Sequence, residues 1–403
     1  MTGATVVVKD SCNGAQPLKA SDLAPVELLV VQPTPFCNLD CDYCYLPNRS
    51  STERMPLSVL EAAICRVLES GLTSDGFTVV WHAGEPMVPG VDYYRQAFDL
   101  IGRIVPSGLK IRQSIQTNAT LIDDAWCKLF TKYDVNVGVS VDGPAFIHDL
   151  HRKSRTGKGS HAEVQRGMDK LRAHGIDYHT ISVLTGDSVD HPQEIFQYFV
   201  DNGVRRCGFN MEEIENVHQS SSLTQPGSKE LVKSFLARVY ELIESSGFNM
   251  HVRELKGALA TIMRWNSSGA EPLDYSQEQL PFRILNVDTS GNFSSYSPEL
   301  MGAQYPAIGK FVFGNVAHDT LLGVVENQLF QDVHSSISSG IDKCRANCSY
   351  FQLCGGGSPS NKYFENGSFD SSETLFCRLH RQAPIEVVLE KMEASLGISQ
   401  SSM

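Results

Sequence analysis

Seven of the 11 cysteines in this chain fall into two groups whose spacing suits a metal centre. The first group is Cys37, Cys41 and Cys44, in the stretch PFCNLDCDYCYLP at residues 35–47. Tetrahedral zinc and cubane iron–sulfur clusters both take four ligands. Three thiolates on one stretch therefore predict either a cubane with one iron open to a small molecule, or a zinc site that a distant histidine completes.

The second group lies near the C-terminal end of the chain and contains four cysteines: Cys344, Cys348, Cys354 and Cys377. Four ligands are enough for a closed site, and the spacing alone is compatible with structural zinc or with an iron–sulfur cluster. The other cysteines are scattered, and we expect Cys65, Cys127 and Cys207 to be small buried side chains. Cys12, in a predicted tail, has no assigned role.

Alternating strand and helix patterns must position the first group. Strands are predicted at 26–32, 77–82, 111–117, 135–142, 178–185 and 205–211, and helices at 58–71, 91–104, 123–133, 161–174, 192–202 and 229–247. Apolar strands separated by helices predict a parallel sheet that is covered on both faces. Six β–α units make a partial (β/α)6 barrel, two units short of a closed TIM barrel. Chemistry collects at the carboxyl ends of such strands, and Cys37 follows the first one.

The pattern changes after residue 247. A helix is predicted at 254–265, a hairpin at 282–299, a loop-rich region at 340–380 and a last helix at 383–396. A metal centre would organise a loop-rich segment that buries little apolar surface. We therefore predict four parts: a tail at 1–24, the partial barrel at 25–247, a bridging helix with a cysteine-containing domain at 248–382, and a C-terminal helix and tail at 383–403.

The first cysteine group resembles the signature of the radical S-adenosylmethionine (SAM) enzymes, because it has the spacing Cx3Cx2C, follows the first strand and carries an aromatic residue before its last cysteine. Three further motifs resemble the family in order: WHAGEP at 81–86, QTN at 116–118 and VSVDGP at 139–144. In the first of these, Ala83 stands where the family has a glycine. The resemblance implies that SAM is contacted by these residues: Gly84, Glu85, Asn118, Ser140 and Arg152. Asp142 and Gly143 are expected to shape the turn.

The resemblance also implies the cofactors and the chemistry. A [4Fe–4S] cluster on Cys37, Cys41 and Cys44 would bind SAM, accept an electron from an external donor of the flavodoxin or ferredoxin type, and cleave SAM to a 5′-deoxyadenosyl radical. That radical abstracts an unactivated hydrogen atom. The work of the protein is then to position SAM and to exclude water and oxygen.

The second cysteine group resembles the SPASM extension of peptide-modifying radical SAM enzymes, where two auxiliary [4Fe–4S] clusters are usual. This chain departs from that pattern at two positions. Tyr296 stands where the hairpin cysteine is expected after Gly291, and Ser358 stands where another cysteine is expected after Cys354. Both departures remove ligands of the first auxiliary cluster. We therefore predict one auxiliary cluster, and two [4Fe–4S] clusters in the whole chain.

The same departures bear on function. Anaerobic sulfatase-maturing enzymes place a catalytic aspartate just after the hairpin cysteine, whereas this chain has Ser297 there. The stretches at 291–302 and 354–377 look instead like the maturases of Gly-rich-repeat peptides. Those enzymes install a cyclophane, a carbon–carbon crosslink from an aromatic ring to a Cβ, in a ribosomally made precursor peptide.

Three alternatives stay open at this point. The chain could be a maturase of a folded protein such as a sulfatase, an enzyme for another peptide modification such as thioether formation or epimerisation, or a metal-stabilised binding protein without turnover. The acidic run MEEIE at 211–215 is read as a contact for a basic peptide, a wall near the adenine of SAM, or a solvated loop.

Composition narrows the range of partners and locations. The formal net charge of −12 over 403 residues argues against a nucleic-acid partner. No stretch approaches eighteen consecutive apolar residues, so no membrane span is expected. The apolar run near the N-terminus is too short for a secretory signal, and we expect a cytoplasmic protein.

Overall fold

The structure is a computed structural model that describes residues 18–268, 276–305 and 309–397. Most of the predicted tail at 1–24, with Cys12, lies outside the described residues. The same holds for the end of the chain beyond residue 397.

Parallel strands form the centre of the molecule, as predicted. Six of them are β1 (Leu28–Val31), β2 (Gly76–Trp81), β3 (Lys110–Thr117), β4 (Val135–Ser140), β5 (Tyr178–Leu184) and β6 (Arg206–Met211). Each pairs in parallel with the next along the chain. This is the α/β fold predicted for the radical SAM type of partial barrel.

Helices follow these strands, and one of them was not predicted. The helices of this part are α1 (Leu57–Glu69), α2 (Val91–Ile104), α3 (Asp124–Tyr133), α4 (Ala145–His151), α5 (His161–Ala173), α6 (Pro192–Asp201) and α7 (Ser228–Ser246). The additional one is α4, which begins directly after Pro144 and ends before Arg152. It leads the chain from the end of β4 back toward the cysteine loop, which we define as residues 37–44.

The sheet continues into the region beyond residue 247. Further strands are β7 (His251–Val252), β8 (Ile284–Val287), β9 (Asn292–Ser295), β10 (Gln304–Tyr305), β11 (Gly309–Lys310) and β12 (Gly314–Asn315). Within the described ranges, the sheet order is β12-β9-β8-β1-β2-β3-β4-β5-β6-β7, and β10 and β11 form a separate pair. β8 pairs in parallel with β1, and β9 turns back against β8 as the predicted hairpin. The predicted boundary at residue 248 therefore does not fall at an edge of the sheet.

The C-terminal region is more helical than predicted. Its helices are α8 (Arg253–Ser268), α9 (Leu321–Val325), α10 (Gln328–Asn347), α11 (Phe351–Cys354), α12 (Pro359–Asn366) and α13 (Ala383–Ser395), and a π-helical turn spans Cys377–Gln382. The prediction of a loop-rich segment at 340–380 is wrong to that extent. Short helix ends and glycine turns, rather than one long loop, carry the second cysteine group.

Side chains that alternate in direction along each strand face the core on one side of the sheet and the cavity on the other. In β5, Thr180, Ser182 and Leu184 are buried, whereas Ile181 and Val183 between them line a cavity. Successive side chains of a strand point to opposite faces, so one face packs on helices and the other faces the interior of the partial barrel. The buried apolar side chains of both halves of the chain form one continuous core.

Candidate active site and second cysteine group

The cysteine loop rests on the turn that ends β2. The backbone amide of Glu85 donates to the carbonyl oxygen of Phe36 over 2.7 Å. Gly84 has a φ of +69°, and a Cβ there would lie 2.4 Å from the carbonyl oxygen of Thr34. Only glycine fits this close approach. Gly84, predicted as a SAM contact, thus lies directly against the segment that enters the cysteine loop.

Glu85 and Asn118 also lie behind the cysteine loop. Glu85 is 1% exposed. Its carboxylate accepts hydrogen bonds from the Thr117 hydroxyl at 2.7 Å and from the backbone amide of Asn118 at 2.8 Å. Burial raises the pKa of Glu85 to about 7, against the effect of these hydrogen bonds. The side-chain amide of Asn118 donates to Asn38 at 2.8 Å and lies 3.9 Å from the Cys37 sulfur. Neither residue is among those that line the cavity next to the loop, and their contact with SAM stays a prediction.

A cavity of about 670 Å³ lies beside the cysteine loop, at the carboxyl ends of the strands. Cys41 and Cys44 line it, together with one residue from the end of each of five strands: His82, Gln116, Ser140, Val183 and Met211. The Ser140 hydroxyl accepts a hydrogen bond from the Gln116 side chain at 2.9 Å. Ser140 is thus in the position expected of a ligand contact, at the edge of the sheet where parallel α/β folds bind their substrates.

Arg152 lines the same cavity, but its guanidinium already has a partner. It donates two hydrogen bonds of 2.9 Å to the carboxylate of Asp142, which also accepts from the Tyr43 hydroxyl and from the Val183 amide. Burial would raise the pKa of Asp142, but the Arg152 charge and its hydrogen bonds outweigh burial and hold that pKa below its usual value. Asp142 does more than shape the predicted turn, because its carboxylate joins the cysteine loop to the ends of β4 and β5.

A tyrosine and a histidine, both missed by the sequence analysis, form another part of the cavity wall. The Tyr45 hydroxyl lies 3.3 Å from Nε2 of His82. Burial lowers the pKa of His82 to about 4, so its imidazole is neutral at physiological pH. Tyr45 also lines a second cavity of about 650 Å³, which extends along β1 and β8. Tyr45 is therefore shared by the two cavities.

Carboxylates line the cavity on the side of the C-terminal region. We call this set the acidic wall, and it consists of Glu213, Glu215, Glu278 and Glu299. Burial and repulsion among these groups raise the pKa of Glu299 to about 7, and they raise that of Glu215 as well. Burial also raises the pKa of Glu213, although a hydrogen bond of 2.7 Å from Asn361 partly opposes the shift. The reading of the 211–215 run as a solvated loop is wrong for Glu213 and Glu215.

The two positions that depart from the SPASM pattern are filled by uncharged side chains. Tyr296 is fully buried, and its hydroxyl lies 3.3 Å from Nδ1 of His334. Ser358 is also buried, and its hydroxyl lies 2.9 Å from that of Ser360, which is in turn 3.3 Å from the Ser297 hydroxyl. Hydroxyl groups therefore stand at both positions where the SPASM pattern has cysteines.

The second cysteine group lines a cavity of only about 20 Å³. All four of its thiols face this space: Cys344, Cys348, Cys354 and Cys377. Gly357 has a φ of +76°, and a Cβ there would lie 3.1 Å from the Cys377 sulfur. The glycine run after Cys354 thus lets the backbone turn closely around the thiols.

The chemistry of the two donor sets fits iron–sulfur clusters. Burial raises the pKa of Cys41 to about 12 and that of Cys377 to about 11. Such thiols stay protonated at neutral pH unless a metal displaces the proton. In the described part of the chain, no three His, Cys, Asp or Glu side chains are close enough to share a single metal ion. Cys37, Cys41 and Cys44 would hold a cluster open to the large cavity, and the second group would hold a closed one.

Comparison with known proteins identifies the class that this fold and site define. Residues 31–199 match the radical SAM superfamily. An uncharacterized protein of Synechocystis is 42% identical over 401 residues, which cover 96% of this chain and 99% of that protein. Residues 31–199 of the chain therefore form a radical SAM domain.

Among its relatives is a cysteine-type anaerobic sulfatase-maturating enzyme of Clostridium perfringens, which is 26% identical over 354 residues, 83% of this chain and 89% of that enzyme. A solved structure of anSMEcpe with bound AdoMet superposes with a TM-score of 0.75 at 22% identity, covering 93% of this chain and 97% of that one. Streptococcus suis SuiB bound to its precursor peptide SuiA superposes with a TM-score of 0.64 at 16% identity, covering 88% and 77%. These likenesses support the fold, including the C-terminal extension.

None of the helices in the described ranges has the length and apolar character needed to span a membrane.

Proposed function

We propose that this enzyme installs a carbon–carbon crosslink, a cyclophane between an aromatic ring carbon and a Cβ, in a ribosomally made precursor peptide. When bound, the cluster and SAM would supply a 5′-deoxyadenosyl radical that takes the Cβ hydrogen and becomes 5′-deoxyadenosine. The Cβ radical would then add to the aromatic ring carbon, and the adduct would lose the proton of that carbon and one electron, which passes to an acceptor such as the second cluster. Gly84, Glu85, Asn118, Ser140 and Arg152 are proposed to position SAM. The second cluster, on Cys344, Cys348, Cys354 and Cys377, is proposed to be the only auxiliary one.

The observation that carries this proposal is the environment of Tyr296 and Ser297. A sulfatase maturase is expected to have a cysteine followed by a catalytic aspartate there, whereas here the tyrosine is packed in the core and the serine faces the cavity. An aspartate at position 297 is therefore missing from this site. The carboxylate nearest to Ser297 along the chain is that of Glu299 in the acidic wall, which the Ser297 hydroxyl contacts.

The acidic wall supports a peptide substrate that carries basic side chains. Four carboxylates at one side of a partly enclosed cavity repel each other, and a cationic side chain relieves that repulsion. The cavity of about 670 Å³ is within the range of sites that take drug-sized ligands. Related structures were solved with peptides, among them anSMEcpe with Cp18Cys and SuiB with SuiA.

A second candidate is the maturation of a folded protein such as an anaerobic sulfatase. It is favoured by the Clostridium perfringens relative, whose similarity extends over 83% of this chain. The absence of an acidic residue at positions 296 and 297 argues against it.

Anaerobic co-expression with the precursor peptide encoded beside the gene would test the proposal. Mass spectrometry should find a loss of two hydrogens per crosslink, with fragment ions missing between the joined residues. An aldehyde that reacts with hydrazide reagents would point to sulfatase-type oxidation, and an unchanged mass with an inverted residue would point to epimerisation. The Cys41→Ala variant is the matched negative control.

A further inference from the structure

The loop at residues 152–160, which we call the basic loop, lies directly on the outer side of the cysteine loop. The Asp40 amide donates to the Lys153 carbonyl oxygen at 2.7 Å, and Leu39 forms a β-bridge with Ser154. Arg155 donates from Nε to the Cys37 carbonyl oxygen at 2.6 Å. The basic loop is thus joined to the cysteine loop by hydrogen bonds at several points.

The basic loop is a local positive surface on an acidic protein. Lys153, Arg155 and Lys158 lie within six residues of each other, whereas the whole chain carries a net charge of −12. In the described part of the chain, none of the three forms an ion pair, and Arg155 and Lys158 are exposed. Three carboxylates lie beside the loop: Asp40 pairs with Arg49 at 3.1 Å, Asp42 pairs with His151 at 3.0 Å, and Asp149, which adjoins Gly159, accepts a hydrogen bond from the His161 backbone amide at 2.8 Å.

The cavity of about 670 Å³ lies on the inner side of the cysteine loop, so an electron-carrier protein has to approach from the outer side. Cys41 and Cys44 line the inner cavity, where SAM and substrate are expected, but Cys37 does not. The Cys37 carbonyl faces the exposed guanidinium of Arg155 instead. Electron transfer between proteins weakens steeply with distance, and the basic loop is an exposed segment in direct hydrogen-bond contact with the cysteine loop.

We infer that the basic loop is the docking surface for a small acidic electron-carrier protein. One electron would pass from the carrier, whose anionic flavin hydroquinone becomes the neutral semiquinone, to the cluster that Cys37, Cys41 and Cys44 would hold; no proton moves. Opposite surface charges steer such encounters and set their salt dependence. The inference rests on the radical SAM domain at residues 31–199 and is independent of which bond the enzyme forms.

Charge reversal at the two lysines tests the inference with a flavodoxin as the probe. In the Lys153→Glu/Lys158→Glu variant, the dissociation constant for oxidised flavodoxin should rise about tenfold at low salt, and cluster reduction by its hydroquinone should slow in proportion. Arg155 is left in place because it contacts the cysteine loop. Reduced methyl viologen, a small cation, should still reduce the cluster of the variant, and its visible absorbance should match that of wild type.

The matched control reverses two lysines elsewhere, Lys110 at the start of β3 and Lys128 on α3, both exposed. Lys110→Glu/Lys128→Glu changes the net charge equally and should leave flavodoxin binding within about twofold of wild type. If flavodoxin affinity fell equally in the two double variants, the inference would be overturned, because the effect would then come from net charge alone. Wild-type binding that stays the same between about 50 and 300 mM salt would overturn it without any variant. No precursor peptide is needed, so a failure of the crosslinking proposal leaves this test unaffected.

Discussion

The two cysteine groups are built for opposite degrees of access. The first has three thiols on a loop at the strand ends and adjoins a cavity of about 670 Å³, whereas the second has four thiols around about 20 Å³. A cluster with three protein ligands keeps one iron for a small molecule, and a cluster with four does not. The ligand count and the shape of the surroundings therefore agree in both regions.

The surroundings differ in chemistry as well as in size. Beside the first group, Asp142, Arg152 and Tyr43 form a charged and fully hydrogen-bonded network. Beside the second, glycine turns and the ends of short helices bring the backbone close to the thiols. The first region is thus organised to orient a ligand, and the second to enclose a cluster.

The largest loss of activity is expected when a ligand is removed from the first cysteine group. Cys41→Ala removes one of three ligands, so iron should fall from about eight to about four atoms per chain. Loss of a residue that only hydrogen-bonds to a metal ligand costs up to about 100-fold in activity. Because Cys41 is itself a ligand, deoxyadenosine release should fall by more than that. Iron assays and chromatography of the SAM products measure both. Retained SAM cleavage in this variant would show that the first group is not the SAM-binding cluster.

The same change in the second group should give a different result. Cys348→Ala should also lower iron to about four atoms per chain, but deoxyadenosine release should persist because the first cluster is intact. The melting temperature should fall, since metal binding contributes to the folding of such regions. Crosslinking at the full wild-type level would eliminate an electron-accepting role for this cluster. Cys65→Ala, on α1 and outside both groups, should change none of these quantities.

A third comparison concerns the network that holds the cysteine loop. Asp142→Asn leaves the buried Arg152 charge without its counterion, and loss of such a positioning partner costs about 10–100-fold in activity or metal affinity. We expect SAM cleavage to fall by that factor, and SAM to change the electron paramagnetic resonance spectrum of the reduced cluster less than in wild type. Asp177→Asn is the control, because Asp177 forms an exposed pair with Arg206 at the start of β6, away from the cysteine loop. An unchanged spectrum and rate in Asp142→Asn would remove the network from the site.

Much of the fold could be predicted from local patterns, because apolar strands and amphipathic helices alternate with a clear period up to residue 247. The pairing of β8 with β1 could not, since it joins Leu28 to Ile284 across most of the chain. Periodicity describes neighbours along the sequence and carries no information on such pairings. For the same reason the sheet extends past the predicted boundary at 248.

The site divides in the same way. The cysteine groups follow from spacing, and the 211–215 run was visible as a cluster of acids. Glu278 and Glu299, which complete the acidic wall, come from distant segments that only the fold brings to the cavity. Asp142 was misread because an Asp-Gly pair after a strand is usually a turn, and its partner Arg152 lies one helix later.

The smallest effect, a change in melting temperature, is expected at the acidic wall of the large cavity. The pKa of Glu299 is raised from 4.5 to about 7, mainly by burial and then by repulsion from Glu278. The folded state therefore keeps a proton that the unfolded state releases, so the stability from this group is present below pH 4.5 and is lost as the pH rises to about 7.

Glu299→Gln should raise the melting temperature by about 2–4 °C above pH 7 and by progressively less toward pH 5. Scanning calorimetry of the anaerobic holoenzyme measures this, with the exposed Glu53→Gln as control. A gain that is the same at every pH would mean that the wall is not strained by its charge, and the case for a basic side chain in the substrate would weaken accordingly.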